Sequence, residues 1–110
     1  MEQAMLVLTN MPDTASARSL ARALVERRLA ACVNLLPGVQ SVYRWQGEVE
    51  EAGEVTLLIK TSADRYDELE QAITQLHPYT LPEVIAVPLQ AGLQPYLRWI
   101  TQETRKDINA

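Results

Sequence analysis

Four residues of this sequence are candidate metal ligands, one each with a thiol, an imidazole, a carboxylate and a thioether side chain. They are Cys32, His77, Glu83 and Met11. Soft metal ions favour thiolates and thioethers, whereas borderline and harder ions accept imidazole and carboxylate. None of these residues sits in a cluster with the spacing of a metal-binding motif. The sequence therefore offers candidate ligands without a motif that joins them.

The two strongest candidates also have ordinary structural interpretations. Cys32 follows two alanines at the start of a predicted strand, and free cysteines are often small, buried side chains. His77 is the only histidine and stands at the predicted end of a helix, where an imidazole can interact with free backbone carbonyls. The sequence leaves these interpretations open beside metal binding.

The residue patterns of common enzyme sites are missing from the sequence. It contains neither a nucleophile elbow nor a phosphate-binding loop. No pairing of a cysteine with a histidine can be inferred from the chain. We therefore predict that the protein is not an enzyme.

Composition limits the class of protein. The 110 residues, of which 47% are hydrophobic and 22% charged, predict one folded domain spanning residues 1–110. A net charge of -4, with no basic tract longer than a pair, argues against nucleic acid as a partner. The apolar runs are too short to cross a membrane, and a basic-then-apolar signal pattern is missing. With a single cysteine, no internal disulfide can form, so we expect a cytoplasmic protein.

The hydrophobic pattern predicts alternating strands and helices. We expect strands at residues 5–8, 31–46, 55–60 and 84–89, and helices at 14–29, from just after Ser62 to near His77, and from 94 onward. Asp13 and Ser62 are the expected caps of the first two helices. Pro37 and Gly38 should bend the second strand, and the acidic segment 47–53 should form a solvated loop that binds hard cations weakly at most.

This order of elements predicts an α+β fold, a ferredoxin-like split β-α-β sandwich with a C-terminal helix. Both crossover helices then cover one face of the sheet. The last helix is too short to hide the other face, so we expect that face to be buried against further copies of the chain.

Specific residues distributed along the chain point to one family. They are Leu29, Ala30, Ala31, Cys32, Pro37, Gly38, Ser41, Tyr43, Trp45, Gly47, Glu50, Lys60, Thr61, His77, Pro78, Tyr79, Pro82, Glu83, Gly92, Tyr96, Leu97 and Trp99. In order and spacing they closely resemble the CutA family of divalent-cation tolerance proteins, over residues 6–100. The resemblance implies a ferredoxin-like fold and a compact homotrimer with sheets joined edge to edge. It also implies a cytoplasmic location in a bacterium and a role in tolerance of copper and other divalent metals.

The same resemblance implies candidate copper ligands. It raises Cys32 and His77 as copper-binding residues, with Glu83 as a further carboxylate ligand. Some family members carry an additional cysteine at the end of the first strand, where this sequence has Thr9. A hydroxyl cannot replace a thiolate for soft copper, so we expect copper to bind more weakly here or between subunits.

A second matching set implies a ligand cleft between neighbouring chains. Lys60, Tyr79, Glu83 and Trp45 are its expected lining, and a small anion or polar molecule its expected ligand. Alternatively, Trp45 and Trp99 pack at a subunit interface, and Lys60 pairs with Glu83.

Two functional hypotheses follow. In the first, the protein is a homotrimeric cytoplasmic copper-binding protein that contributes to tolerance of divalent metal ions. In the second, it is a trimeric sensor or scaffold, similar in architecture to the PII signalling proteins, that holds a small ligand or protein partner in the intersubunit cleft. Neither hypothesis involves nucleic acid or a membrane.

Overall fold

The computed structural model describes residues 3–106. Along this part of the chain the elements are β1 (Ala4–Met11), α1 (Thr14–Glu26), β2 (Cys32–Trp45), β3 (Glu48–Ser62), a short 3-10 turn (Ala63–Arg65), α2 (Tyr66–Leu76), β4 (Ile85–Pro88) and α3 (Gln94–Glu103). None of the helices within this range is long and apolar enough to span a membrane.

The strands form one antiparallel sheet in the order β2-β3-β1-β4. The central pair is β1 and β3, with Ala4 opposite Ser62 and Met11 opposite Val55. Each half of the chain supplies a strand-helix-strand unit, and the ferredoxin-like α+β fold predicted from the sequence is confirmed. The short β4, which ends at Pro88, lies at an edge as expected for a strand containing proline.

Helices α1 and α2 pack on one face of the sheet and form the core with it. Its fully buried members include Val7, Leu24, Leu57, Ile59, Leu69 and Ile73. Asp13 caps α1 as predicted, since its Oδ1 accepts a hydrogen bond of 2.7 Å from the Ser16 backbone N–H. This bond, together with weaker ones from the Ser16 side chain and the Ala15 backbone N–H, lowers the pKa of the Asp13 carboxyl.

Two predicted helix boundaries are wrong. Helix α1 ends at Glu26 rather than at residue 29, because Arg28 adopts a left-handed φ of 60° and turns the chain so that Leu29 enters the core. Ser62 does not cap α2, which begins only after the 3-10 turn. Its hydroxyl instead bonds to Asp64 Oδ1 at 2.7 Å and to Thr104 Oγ1 at 2.9 Å.

The acidic segment is part of a strand, so the loop predicted at residues 47–53 is wrong. Strand β3 begins at Glu48, and the turn contains only Gln46 and Gly47, with φ angles of 50° and 84°. Two consecutive positive φ angles are characteristic of a type I′ hairpin turn, whose twist matches the flanking strands. The predicted bend is confirmed: the β2 register shifts between Leu36 and Val39.

The opposite face of the sheet is only partly covered. Helix α3 lies over the Ala4 and Ser62 end of β1 and β3, where Ile100 and Thr104 are fully buried. Beyond α3 the face, here called the open face, displays Leu36, Ile85 and Val87, each about half exposed. An apolar patch of this kind is typical of a surface that binds another molecule.

Two buried threonines on the core face provide a matched test of this packing. Thr9 and Thr61 are both fully buried, but only Thr61 has a partner, the Leu29 carbonyl at 2.8 Å; Thr9 Oγ1 has none among the described residues. Because an unpaired buried hydroxyl is costly, Thr9→Val should raise the free energy of unfolding by about 1 kcal/mol. Thr61→Val should lower it by about 1 kcal/mol, since it leaves a buried carbonyl with one bond fewer.

Chemical denaturation of both variants measures this difference. Loss of stability in Thr9→Val would contradict the assignment, since it would mean that the Thr9 hydroxyl is paired in solution.

Candidate functional site

Most of the candidate residues lie on the open face of the sheet. Alternation along the strands places Val7, Thr9 and Met11 toward the helices, and Asn10 on the other side. Met11, the candidate thioether, is 2% exposed and belongs to the core. Asn10, Glu54 and Lys60 face the open side.

Asn10 joins three elements by hydrogen bonds. Its side-chain Oδ1 accepts from Thr56 Oγ1 at 2.6 Å, and its Nδ2 donates to Glu83 Oε1 at 3.1 Å. Its backbone carbonyl lies 2.7 Å from His77 Nε2. Two of the predicted metal ligands, His77 and Glu83, are therefore brought together around one asparagine.

Both ring nitrogens of His77 have hydrogen-bond partners. Nδ1 accepts from the Tyr79 backbone N–H at 3.1 Å, so Nε2 carries the proton donated to the Asn10 carbonyl. The side chain is 9% exposed, and its ring packs against that of Tyr79 with centroids 4.7 Å apart. A metal ion can bind this imidazole only in exchange for one of these bonds.

Tyr79 connects the segment after α2 to the sheet. Its hydroxyl donates to Glu54 Oε2 at 2.9 Å. Burial, followed by this hydrogen bond and the charge of the Glu54 carboxylate, raises the pKa of Tyr79 to about 12. Tyr79 is therefore a protonated donor at neutral pH.

Asn10, Glu54, Tyr79 and Glu83 line a groove of about 750 Å³ between the β2-β3 hairpin and residues 78–83, whereas the buried His77 is not part of its wall. Its wall combines aromatic rings, carboxylates, an amide and a guanidinium: Tyr43, Trp45, Tyr79, Glu54, Glu83, Asn10 and Arg44. The volume lies within the range of small-molecule sites, roughly 300–1,000 Å³.

Cys32 and Lys60 lie away from this groove. They are paired across β2 and β3, and Lys60 Nζ is 3.9 Å from the half-buried Cys32 Sγ and hydrogen-bonded to Asn34 Oδ1. Lys60 and Glu54 are six residues apart on β3, or roughly 20 Å. Lys60 therefore does not line the groove of its own chain, and within the chain it does not pair with Glu83, which is bonded to Asn10 instead.

The sequence-predicted ligands do not form one site within a chain. Cys32 is opposite Lys60 while Asn10 is opposite Thr56, which separates the thiol from the His77 and Glu83 pair by roughly 13 Å along the strands. Within residues 3–106 no group of three or more His, Cys, Asp and Glu side chains could hold a metal ion. Trp45, Tyr79 and Glu83 do share the groove.

Sequence reasoning missed Asn10 and Glu54, which position the groove. Asn10 follows an apolar strand run and resembles the first residue of a turn, and Glu54 lies between the segment 47–53, assigned to a loop, and the strand predicted from residue 55. Only the pairing of Asn10 with Thr56 and the continuation of β3 through Glu54 show that these polar side chains belong to one sheet face.

The Tyr79 and Glu54 contact predicts a specific pH dependence. Tyr79 should titrate at about 12 instead of 10.0, and Glu54→Gln should lower its pKa because the adjacent negative charge is removed. Since the folded pKa exceeds the unfolded one, the stabilising contribution is present below pH 10 and lost as pH rises through about 12. Ultraviolet absorbance of tyrosinate, with Tyr79→Phe to assign the signal, measures the shift. Glu50→Gln on the same strand is the control, and an equal effect of both substitutions would contradict the assignment.

Comparison with known proteins gives a consistent result. The CutA1 divalent ion tolerance protein family matches residues 5–103. The divalent-cation tolerance protein CutA of Thermus thermophilus is 48% identical over 99 residues, which are 90% of this chain and 96% of that protein. Mouse CutA is 44% identical over 99 residues, but this chain spans only 56% of its length.

Solved structures have the same fold. The Cut A1 structure from Thermus thermophilus superposes with a TM-score of 0.88 over 94% of this chain and 98% of that one. The structure of a protein described as the periplasmic divalent cation tolerance protein CutA of Archaeoglobus fulgidus, 31% identical, has a TM-score of 0.89 over 93% and 99% of the two chains. The resemblance seen in the sequence is confirmed, and the chain belongs to the CutA1 family of divalent-ion tolerance proteins.

Proposed function

We propose that this protein contributes to divalent-cation tolerance as a homotrimer that binds copper at the Asn10 end of the groove. The observation that supports this proposal is the convergence of His77 and Glu83 on Asn10. Imidazole and carboxylate are ligands that Cu(II) accepts. The site binds rather than catalyses, and the protein is not an enzyme.

Copper binding by His77 carries an energetic cost. The metal takes the place of the Nε2 proton, so the hydrogen bond to the Asn10 carbonyl is lost, at roughly 0.5–1.5 kcal/mol. Affinity is therefore modest within one chain. Cys32 is too far away to join this pair and acts as a soft Cu(I) ligand only where another copy of the chain completes the site.

Trimer formation is supported by the uncovered surface. Leu36, Ile85 and Val87 expose apolar area on the open face. The molecule is elongated, with dimensions of 47 × 30 × 22 Å. Strands β2 and β4 are edges with unpaired backbone groups. Assembly with closed symmetry buries both the apolar face and the strand edges.

A second function is favoured by the size of the groove. In this alternative the trimer is a sensor or scaffold, analogous to the PII proteins, and a small polar molecule or protein partner occupies the cleft. Aromatic rings from Trp45 and Tyr79 beside the carboxylates of Glu54 and Glu83 suit such a ligand. Metal effects are then indirect.

We further propose a cytoplasmic location, supported by the single cysteine and by the absence of a helix able to span a membrane within residues 3–106. The relative from Archaeoglobus fulgidus is described as periplasmic, so cell fractionation is the deciding measurement.

Copper titration of chelator-stripped protein tests the first proposal. Cu(II) should bind saturably, and Glu83→Gln should weaken binding at least about tenfold, because the amide keeps the bond to Asn10 but loses the ligand charge. Glu103→Gln, an exposed carboxylate on α3, is the matched control and should bind like the parent protein. Calorimetry measures the affinities, and Cys32→Ser should affect Cu(I) only.

The outcome separates the two functions. Saturable binding that Glu83→Gln retains, or no binding at all, would contradict copper binding at the groove. The small-ligand alternative would then be favoured. Its readout is the change in Trp45 fluorescence on addition of ligand, measured in a Trp99→Phe variant so that Trp45 is the only tryptophan.

The assembly has its own test. Light scattering of metal-free protein should give the mass of a trimer, and Ile85→Glu should shift it toward monomer by placing a charge on the apolar open face. Val25→Glu, on the exposed side of α1, should leave the trimer intact. A stable monomer of the parent protein would refute the trimer.

A further inference from the structure

A second, smaller cleft lies on the helix layer, on the side of the molecule opposite to the groove. It is formed between the end of α1 and the outer surface of α2 and has a volume of about 260 Å³. Arg27, Arg65, Gln71 and Gln75 contribute polar side chains to its wall. Because the open face carries the exposed apolar surface, assembly through that face leaves this cleft accessible.

Arg65 is the unusual residue of the cleft. It is 5% exposed, and its Nη1 donates to Glu68 Oε1 at 2.9 Å. Its Nε is buried and has no hydrogen-bond partner among the described residues. Buried polar groups nearly always have partners, and Arg65 can satisfy this donor only by a rotation of its side chain toward an acceptor in the cleft.

The charges around the cleft are predominantly positive. Glu68 contacts Arg65 and is shared with Lys106, whose Nζ lies 3.2 Å from the same oxygen. Arg27 adds a further cation to the wall. On the neighbouring turn of α1, Arg22 and Glu26 pair with each other at 3.6 Å, so their charges cancel. The cleft wall therefore combines two cations, Arg27 and Arg65, with one carboxylate, and Lys106 contacts that carboxylate from outside the wall.

We propose that this cleft binds a small oxyanion of the phosphate class. A guanidinium offers donors in a planar fork that matches phosphate oxygens, and rotation of the Arg65 side chain toward the cleft presents the Nε donor that Glu68 leaves unused. Gln71 and Gln75, four residues apart on one face of α2, add amide donors. The volume is below the usual range of pockets for drug-sized molecules, roughly 300–1,000 Å³, so the cleft fits a single phosphate group.

Titration with inorganic phosphate at constant ionic strength tests the proposal on the metal-free protein. Calorimetry should show saturable binding with one site per chain. Arg27→Gln should weaken it at least tenfold, whereas Arg22→Gln, the same loss of charge outside the cleft on the same helix, should leave it unchanged. Arg65→Lys keeps the charge but removes the fork, and it should also weaken binding.

Glu68→Gln should change the affinity for phosphate in the opposite direction. Its amide oxygen can still accept the Arg65 hydrogen bond, but the carboxylate that competes with the anion is removed, so phosphate should bind several-fold more tightly. A merely structural role of Arg65 would not produce this gain. Titration with glycerol phosphate then distinguishes a free ion from a phosphate monoester: equal affinity for both probes shows that only the phosphate group is recognised.

No saturable heat in the parent protein, equal weakening by Arg22→Gln and Arg27→Gln, or unchanged affinity in Glu68→Gln would overturn the proposal. Should Arg65→Lys unfold, the Arg27 and Glu68 variants still decide, because both residues are on the surface. The result is independent of copper binding, since the cleft and the groove share no residue.

Discussion

The register between β1 and β3 determines what both sides of this molecule present. Ala4 to Met11 pair continuously with Ser62 to Val55, and this pairing holds the two halves of the fold together at the centre of the sheet. Because successive side chains point to opposite faces, the register that buries Val7, Leu57 and Ile59 also brings Asn10 and Thr56 together on the open face. A slip by one residue would reverse both faces, so core packing and the groove are specified by the same constraint.

Asn10, which the register places on the open face, holds the groove together. Its side chain holds Glu83, and its backbone carbonyl holds His77, so the segment after α2 is attached at two points to the central strand. Tyr79 adds a third attachment through Glu54 on β3. The residues that resemble the family motif around His77 and Tyr79 are therefore partly structural, because their polar atoms already have partners within the chain. The proposed binding of a ligand at the groove would use the exposed side of the same network.

Much of this fold could be predicted from the sequence because its signals are local. Apolar periodicity located the strands and helices, Asp13 and Pro95 marked helix starts, and Pro37 with Gly38 marked the bend in β2. The errors arose where a contact outside the segment, or a single left-handed residue such as Arg28, decides the conformation. The acidic start of β3 is a strand because β2 pairs with it. Ser62 does not cap α2 because its hydroxyl bonds to Thr104, which directly follows α3 and lies 42 residues away.

The candidate site was less accessible to sequence reasoning for the same reason. Residue types suggested His77, Glu83 and Cys32 as one ligand set, but type carries no information about distance. Strand register places the thiol at the far end of the sheet beside Lys60. It also shows that the partner of His77 is a backbone carbonyl, which no side-chain pattern can reveal.

Position 9 shows how the register also bears on metal chemistry. The resemblance described in the sequence analysis implied a cysteine at the position of Thr9 in some family members, and hence the loss of a soft copper ligand from the site of this chain. Thr9, however, is fully buried on the core face, whereas its neighbour Asn10 faces the groove. A thiol at position 9 in the same register would point toward the helices and would reach the groove only after local rearrangement of β1. The groove of this chain is thus defined by oxygen groups and aromatic rings, and position 9 belongs to the core rather than to the groove.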